Sequence, residues 1–256
     1  MSELGFVGAG LGDERDLSRR ALDYLRSAGR VFLEEYTSRF PEGSIARLES
    51  EIQHPIERLD RAAVESGAGI LAALGSVDRV ALLTPGDPFA ATTHLALRLQ
   101  VESAGHGWKY LPAASALVAV AGYLGLIHYR FGRTVTLPIP EPGYDPSSPF
   151  ERVLRNRSEG LHTLVLLDVQ AERGRYLTAD AALAAFDRFD PEHARLAAEV
   201  PFGVVARVGT EEGAAWWGDR RALATVDFGP PVHSLVLPAP DLHFQEEAAV
   251  RRFRVV

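Results

Sequence analysis

Short apolar runs alternate with helical patterns through the first half of the chain, and this alternation constrains the fold more than any other feature. Runs of strand length occupy 4–8, 31–33 and 80–83, and apolar residues recur at helical spacing over 61–74 and 93–103. Because neighbouring parallel strands need a crossover connection, short loops between strands and helices predict a mostly parallel sheet. The first half is therefore predicted to be an α/β domain.

The start and end of the first helix are predicted from its flanking residues. Leucine and alanine recur at helical spacing over 17–28, Asp16 precedes them as an N-cap, and Gly29 follows them as a stop. A further helix, built from small residues, is predicted over 115–122.

A cluster of prolines at 138–149 separates this half from the rest of the chain. Proline does not sustain a helix or a central strand, so the segment is predicted to link two α/β domains at 1–137 and 150–256. The second domain shows strand patterns with little helix between them, which predicts a sheet with mixed or antiparallel pairing. The patterns are strands at 163–167, 202–208 and 234–237, a candidate strand at 224–228, and a helix at 179–189 that Thr178 starts.

Composition excludes several classes of function. Asp and Glu outnumber Lys and Arg by 34 to 27, a formal net charge of −7, whereas a general nucleic-acid binder normally carries a basic excess. The absence of cysteine excludes disulfides, cysteine nucleophiles, thiolate zinc sites and iron–sulfur clusters. The 8 histidines show no tight ligand spacing, so no metal is expected. No run approaches the ~18 apolar residues of a membrane helix and no signal-peptide pattern is present, which predicts a soluble, cytoplasmic protein without a membrane partner.

Two glycine-containing loops follow predicted strands. The first reads Gly-Ala-Gly-Leu-Gly-Asp at 8–13 and lets backbone approach a ligand, yet a dinucleotide fingerprint fails because its third glycine would fall on Asp13. The second reads Thr-Pro-Gly-Asp-Pro at 84–88 and presents Asp87 at a strand end, where ligands bind in open α/β sheets. A carboxylate there accepts from an ammonium or a ribose hydroxyl. The alternatives are a tight turn without a ligand for the first loop and a turn or cap role for Asp87.

The two loops together resemble the tetrapyrrole-methylase-like class of S-adenosylmethionine (SAM) methyltransferases, and within that class the chain is similar to the diphthine synthase family. The resemblance rests on an ordered set of short motifs in both halves of the chain. They are Gly-Asp-Glu-Arg-Asp-Leu-Ser at 12–18, Glu-Tyr-Thr-Ser-Arg at 35–39, Leu-Thr-Pro-Gly-Asp-Pro at 83–88, Ala-Thr-Thr-His at 91–94, Tyr-Arg-Phe-Gly at 129–132, Gly-Leu-His-Thr-Leu at 160–164, Leu-Asp at 167–168, Gly-Arg-Tyr-Leu-Thr-Ala at 174–179 and Pro-Val-His at 231–233.

The resemblance implies two α/β domains of the tetrapyrrole methylase type with SAM in a cleft between them, and usually a homodimer. It implies methylation of the amino group of a modified histidine, aminocarboxypropyl-histidine, on translation elongation factor 2 in diphthamide biosynthesis. Carried over position by position, the SAM contacts fall mostly on small or apolar residues. They are Leu11, Asp87, Ala90, Ser115, Ala116, Leu167, Val208 and His233.

The same resemblance places a wall of the acceptor pocket at 36–39 and another at 129–133. It assigns Tyr36, Arg39 and Arg133 to substrate binding, with Arg130 beside them. Arginines there would meet carboxylates through bidentate hydrogen bonds. An ordinary exit from a strand is the alternative interpretation of 36–39.

His94 and the pair Trp216-Trp217 also have structural interpretations. His94 is predicted to lie on a helix, where a satisfied structural histidine and a site residue stay equally open. The tryptophan pair is interpreted as core or hairpin packing.

The implied reaction needs little chemistry from the protein. Methyl transfer from a sulfonium to an amine is an in-line displacement, so the protein mainly has to align the two partners. The amine must lose its proton, and a desolvated amine beside a cation has a lowered pKa, so a general base is not required. Asp87 is predicted to hold the methionyl part of SAM. Two alternatives stay open, a tetrapyrrole (precorrin) methyltransferase of the same fold and a non-catalytic module that binds SAM or a nucleotide.

Overall fold

The computed structural model describes residues 1–36, 38 and 40–255, which form two compact units. The units are Met1–Ala116 with Gln170–Gly174, and Leu117–Val169 with Arg175–Val256. None of the helices in the described ranges is both long enough and apolar enough to cross a membrane.

The boundary between the units comes earlier than the sequence predicted. The proline-rich segment 138–149 lies inside the second unit. The reason is that the strand preceding it, Val135–Leu137, already pairs in parallel with Thr163–Leu167. The chain has therefore entered the second sheet before it reaches the prolines.

The first unit is built on a parallel sheet, as the alternation of strands and helices predicted. In chain order its elements are β1 (Glu3–Gly8), α1 (Arg19–Ser27), β2 (Arg30–Glu34), α2 (Ser44–Ile52), β3 (Ile56–Leu59), α3 (Arg61–Ser66), α4 (Ala68–Leu74), β4 (Arg79–Thr84), α5 (His94–Ser103) and β5 (Gly107–Leu111). The strand order is β3-β2-β4-β1-β5, and every neighbouring pair is parallel. All five carboxyl ends therefore lie at one edge of the sheet.

The three inner strands β1, β2 and β4 are apolar between their end residues because helices cover both faces of the sheet. Alternate side chains of β4 enter different cores: Ala81 and Leu83 pack with α1 and α2, whereas Val80 and Leu82 pack with α3, α4 and α5. The sheet is thereby held on both sides, and its carboxyl edge is a fixed platform for the loops that leave it.

Two helix boundaries differ from the prediction. The first helix begins after Ser18, whose side chain accepts a hydrogen bond from the Ala21 amide, while Asp16 lies in a preceding 3-10 turn. The helix predicted over 61–74 is two helices, because Gly67 adopts a left-handed φ of 67° between α3 and α4.

The second unit has a mixed sheet, again as predicted. Its elements are α6 (Ala116–Leu124), β6 (Val135–Leu137), α7 (Ser148–Ser158), β7 (Thr163–Leu167), β8 (Val169–Gln170), β9 (Arg175–Tyr176), α8 (Ala179–Phe189), β10 (Phe202–Ala206), β11 (Ala214–Gly218), α9 (Arg220–Leu223), β12 (His233–Leu237) and α10 (Phe244–Val250). The strand order is β11-β10-β12-β7-β6, antiparallel except for the β6–β7 pair.

The candidate strand at 224–228 is wrong, and β11 takes its place at the edge of the sheet. β11 pairs with β10 and carries both tryptophans, so the interpretation of Trp216-Trp217 as packing residues is confirmed. Trp217 is buried, and Trp216 meets Phe228 edge to face with ring centroids 5.2 Å apart. Phe228 belongs to the core as a loop residue rather than as part of a strand.

A buried carboxylate on α10 ties several loops of the second unit together. Glu246 accepts from the amides of Ile127 at 2.8 Å and His243 at 2.9 Å, from His162 Nε2 at 3.0 Å, and from the Arg130 guanidinium. Burial alone would raise the pKa of Glu246, but the amide and histidine hydrogen bonds hold it below its ordinary value. The Glu246 carboxylate is therefore ionised, and its hydrogen bonds join segments that are distant in sequence.

We predict that Glu246→Ala lowers the free energy of unfolding by about 3 kcal/mol at neutral pH, because a buried network loses its only carboxylate. Since the folded pKa is depressed, the contribution is present above the unfolded pKa of about 4.3 and is lost as the pH falls through the folded value. Urea unfolding at several pH values tests both parts.

Glu247→Ala is the matched control, because Glu247 is the exposed neighbour on the same helix. It should change the free energy by no more than about 0.5 kcal/mol. Equal effects of the two variants, or a Glu246→Ala difference that persists at low pH, would contradict the role of Glu246.

Candidate active site

Three loops leave the carboxyl edge of the first sheet in close mutual contact. The loops after β1 and β4 are joined by a pair of backbone hydrogen bonds, from the Gly86 amide to the Gly10 carbonyl at 2.6 Å and from the Gly10 amide to the Gly86 carbonyl at 3.2 Å. Both glycines are left-handed, with φ values of 79° and 75°. The two glycine loops singled out in the sequence are therefore one structural unit.

The third loop, which follows β5, packs against Gly8. A Cβ at Gly8 would lie 2.7 Å from the Ala113 Cβ and 2.9 Å from the Gly86 carbonyl oxygen. Neither distance is tolerable for a side chain, so glycine is required there for close approach rather than for its dihedral angles. The loops after β1, β4 and β5 converge because this position is bare.

Asp87 holds together two members of this three-loop assembly, the loops after β4 and β5. One carboxylate oxygen accepts from the Tyr110 hydroxyl at 2.7 Å and from the Ala113 amide at 3.1 Å, and the other accepts from the Phe89 amide at 3.0 Å. The side chain is only 8% exposed. A carboxylate offers about four acceptor positions, so three protein bonds leave little of it for a ligand.

Tyr110 is kept as a hydrogen-bond donor by this arrangement. Burial, together with the hydrogen bond and charge of Asp87, raises the pKa of Tyr110 to about 12. The bond to the Phe89 amide makes Asp87 a turn residue as well, which is the alternative that its sequence context offered. Nothing in the sequence around Asp87 indicates Tyr110 or Ala113 as its partners, because they lie on a different strand and loop.

The glycine loop after β1 is already occupied by a carboxylate of the protein. Asp16 accepts from the amides of Gly12 at 2.7 Å and Leu11 at 3.1 Å. Asp13 accepts from the Arg15 amide and guanidinium, and these bonds lower the pKa of the Asp13 carboxyl. Phosphate-binding glycine loops direct free amides at an anion, whereas these two amides already bind one. The loop is therefore unsuited to a phosphate.

The SAM contacts predicted in the first unit all lie in these loops. Leu11 is in the loop after β1, and Ser115 and Ala116 come where the loop after β5 runs into α6. Ala90 is half-buried in the turn after Asp87, and its amide donates to the Asp87 carbonyl at 3.1 Å. The structure thus collects Leu11, Asp87, Ala90, Ser115 and Ala116 at one edge of one sheet.

The remaining predicted SAM contacts lie together at one edge of the second sheet. Leu167 ends β7, His233 begins β12, and Val208 follows the end of β10. The antiparallel register pairs Ser234 with Leu166 and His233 with Ala206, which brings the three positions to the same edge. Val208 is half-buried in a turn, and Leu167 is buried.

His233 is committed to the protein through both ring nitrogens. Nδ1 accepts from the Ala179 amide at 3.1 Å at the start of α8, so Nε2 carries the proton and donates to the Pro230 carbonyl at 3.1 Å. Burial lowers the pKa of His233, which favours this neutral form. A ligand at this edge would meet the backbone or a ring carbon of His233, since no ring nitrogen is left.

The residues predicted to bind the acceptor lie in different units, and those that the structure describes differ in burial. Tyr36 is only 2% exposed and packs in the core on the α3–α5 side of the sheet, so its ring is not a surface wall. Arg39 lies outside the described residues. Arg133 is exposed before β6, whereas the Arg130 guanidinium is bound to Glu246 and to the Asp241 carbonyl. Arg133 alone of these is described as an exposed cation.

Across residues 1–36, 38 and 40–255, no group of three or more His, Cys, Asp or Glu side chains is arranged to hold a metal ion.

Comparison with known proteins gives one consistent family. Residues 3–222 match the tetrapyrrole (corrin/porphyrin) methylase family. The diphthine synthase of Methanoregula boonei is 37% identical over 251 residues, 98% of each chain, and that of Halobacterium salinarum is 40% identical over 252 residues, 97% of this chain and 96% of the other. A crystal structure of diphthine synthase superposes with a TM-score of 0.88 at 32% identity, covering 99% of this chain and 96% of the other.

We predict that Asp87→Ala lowers the free energy of unfolding of the ligand-free protein by about 2 kcal/mol, because the Phe89 and Ala113 amides lose a buried acceptor. Tyr110→Phe removes one of the three bonds and should cost about 1 kcal/mol. Urea unfolding of both variants beside the wild type measures the difference. Wild-type stability of Asp87→Ala would mean that the carboxylate does not anchor the loops.

Proposed function

Because the chain belongs to the tetrapyrrole methylase family and is a SAM-dependent methyltransferase of the diphthine synthase type, we propose that its substrate is translation elongation factor 2. The methyl acceptor is the amino group of the aminocarboxypropyl-histidine on that factor, and the reaction is a step of diphthamide biosynthesis. The observation that carries this proposal is the likeness to diphthine synthases over almost the whole of both chains, in sequence and in fold. A translation factor as substrate implies that the enzyme works in the cytoplasm.

The loops of the first unit suit SAM as the methyl donor. SAM carries an ammonium, a sulfonium and a carboxylate but no phosphate, and the glycine loop has two of its amides bound to Asp16. Gly8, Gly10 and Gly86 keep backbone rather than side chains at the meeting point of the loops. Small residues at Ala90, Ser115 and Ala116 leave room beside them. We propose that these loops, with Leu11 and Asp87, bind SAM. The family resemblance also assigns Leu167, Val208 and His233 to SAM.

The protein's part in the reaction is alignment. Bound SAM supplies a methyl group on a sulfonium, and its transfer to an amine is an in-line displacement. The three-loop assembly held by Asp87 gives the chain a rigid place for the donor. The Asp87 carboxylate accepts three protein hydrogen bonds, so it acts by charge and by holding the loops, and we assign it no role as a base. Desolvation beside a cation lowers the pKa of the acceptor amine, so that its proton is released to water before the amine attacks the methyl group.

We also propose a homodimer. Leu95 and Leu99 lie one turn apart on α5 and are 56% and 52% exposed, and Val118 on α6 is 60% exposed. Exposed apolar side chains of this size on helices are typical of surfaces that another chain covers. Light scattering of the purified protein tests this, with a mass twice that of the chain expected.

The decisive experiment incubates the protein with labelled SAM and elongation factor 2 that carries aminocarboxypropyl-histidine, followed by mass spectrometry of the modified peptide. We expect label on the amino group of that side chain, and none on the same factor with an unmodified histidine. A parallel reaction offers a soluble precorrin-type tetrapyrrole. Turnover of the tetrapyrrole without label on the factor would assign the chain to the tetrapyrrole branch of its family, and binding of SAM without transfer to either would identify a non-catalytic module.

We predict that Arg133→Glu lowers kcat/KM for elongation factor 2 at least tenfold and leaves the SAM affinity unchanged. The exposed Arg133 cation is proposed to meet a carboxylate of the acceptor, and charge reversal turns that attraction into repulsion. Steady-state kinetics and calorimetry with S-adenosylhomocysteine separate the two effects.

The matched control is Arg221→Glu, which reverses an equally exposed arginine on α9. It makes the same change in net charge at a distant position. A similar loss of kcat/KM in both variants would trace the effect to total charge, and a loss of S-adenosylhomocysteine affinity in Arg133→Glu would place Arg133 with the donor instead.

A further inference from the structure

A histidine and a glutamate are completely buried beside the loop that follows β4. Glu34 ends β2 and His94 begins α5, and each side chain is 0% exposed. His94 Nε2 lies 3.7 Å from Glu34 Oε2. The layer around them is apolar and includes Phe6, Phe32 and Leu82. Burial of polar groups in such a layer is costly unless they make compensating bonds, so the bonds they make are informative.

His94 makes its bond to the loop that carries two predicted SAM contacts. Its Nδ1 lies 2.8 Å from the Pro88 carbonyl oxygen, and because a carbonyl only accepts, Nδ1 carries the proton and donates. Pro88 stands between Asp87 and Ala90, the two predicted contacts. A side chain from α5 therefore holds the carbonyl at the centre of this loop.

Thr92 holds the same carbonyl from within the loop. Its hydroxyl donates to the Pro88 oxygen at 2.5 Å. The chain reverses at Ala91, which adopts a left-handed φ of 59°, a conformation that a residue with a Cβ rarely adopts. Two donors on one carbonyl secure a turn that would otherwise be unfavourable.

The ring of Phe89, the residue after Pro88, is packed on both sides. Its centroid lies 4.9 Å from that of Phe6 and 5.1 Å from that of Tyr110. Aromatic contacts at these separations fix the orientation of the ring. Segment 87–94 is thus held by Asp87 at its start, by Phe89 in its core, and by Thr92 and His94 at its end.

Glu34 lies beside His94 and accepts a hydrogen bond from the chain that leaves β2. Its other carboxylate oxygen accepts from the Tyr36 amide at 3.0 Å. Tyr36 opens the segment that the sequence resemblance assigns to the acceptor. Glu34 therefore lies between His94 and the segment predicted for the acceptor, and its Oε2 is 3.7 Å from His94 Nε2, which makes no hydrogen bond.

We propose that His94, together with Thr92, is a positioning residue that sets the loop 87–90 in the conformation that binds SAM. The proposal rests on the proposed function, since SAM is the ligand of that loop. His94 touches neither donor nor acceptor and acts through the Pro88 carbonyl. Loss of its Nδ1 donor leaves the Thr92 hydroxyl as the remaining side-chain donor to the carbonyl, which loosens the left-handed turn and shifts the loop 87–90.

Matched variants isolate the donor from the bulk of each side chain. His94→Leu removes the donor, whereas His94→Asn keeps an amide nitrogen at the position of Nδ1. Thr92→Val removes the hydroxyl, whereas Thr92→Ser keeps it. A hydrogen bond of this kind changes an equilibrium by roughly tenfold, so we expect S-adenosylhomocysteine affinity to fall about tenfold in His94→Leu and Thr92→Val and less than threefold in the other two.

Two readouts separate this proposal from the proposed function. Calorimetry gives the affinity, and amide hydrogen exchange of the peptide containing 87–94 reports the loop in the ligand-free protein. We expect exchange to be about tenfold faster in His94→Leu and Thr92→Val, and near wild-type in His94→Asn and Thr92→Ser. In steady-state kinetics the loss should appear in the KM for SAM and spare the KM for elongation factor 2.

Each outcome decides the question. Equal exchange and affinity in all four variants, or equal damage by His94→Asn and His94→Leu, would overturn the positioning role of the Nδ1 donor. A uniform fall in melting temperature with unchanged affinity would show that His94 is structural only. If the wild type binds no SAM while the exchange pattern follows the donors, the proposed function fails and the anchoring of the loop is upheld.

Discussion

The candidate site depends on Gly8, which has no side chain. Its position opposite Ala113 and the Gly86 carbonyl lets three strand-to-helix loops approach to van der Waals distance. The hydrogen bonds of Asp87 to Tyr110 and Ala113 are possible only in that packed arrangement, because both partners belong to the strand and loop that Gly8 admits. An added methyl group at position 8 would push the loop after β5 away and separate the carboxylate from two of its three donors.

Several residues that mark the family resemblance hold the fold rather than a ligand. His162 donates from Nε2 to Glu246 and accepts at Nδ1 from the Ala239 amide, in the same way that His233 joins Ala179 to Pro230. Each is a neutral imidazole whose two nitrogens bridge segments distant in sequence. Arg130 is likewise taken by Glu246 and Asp241. Side chains of this kind fix loops at the sheet edges, and the proposed ligand contacts are small residues and backbone between them.

The strands and most helices could be predicted because they depend on local periodicity. The apolar runs that became β1, β4 and β7 are visible in the sequence, and so is the turn formed by Asp87 and Phe89, which are two residues apart. The contacts of Asp87 with Tyr110 and Ala113 span 23 and 26 residues, and nothing in the local pattern predicts them. The hydrogen bonds of Asp16 are likewise not predicted by the local pattern.

The local sequence predicts Asp16 as the N-cap of the first helix. In the structure Ser18 caps the helix, and the Asp16 side chain accepts hydrogen bonds from amides of the glycine loop. A capping residue is recognised by type and by proximity to a helix, and two candidates stand within three positions here. Only the path of the loop, which is set by the left-handed Gly10, decides between them. The packing of this loop against itself therefore could not be predicted from sequence patterns.

The position of Asp16 also determines which ligands the first loop can accept. In a dinucleotide site the loop amides and the helix start present positive potential to a phosphate. Here the Leu11 and Gly12 amides face the Asp16 carboxylate, and the Ala21 amide at the start of α1 is bound by Ser18. Asp87 adds a further carboxylate nearby, whereas Asp13 is paired with the Arg15 guanidinium. The loops therefore favour a cationic ligand over an anionic one, and a methyl donor built on a sulfonium and an ammonium has that charge.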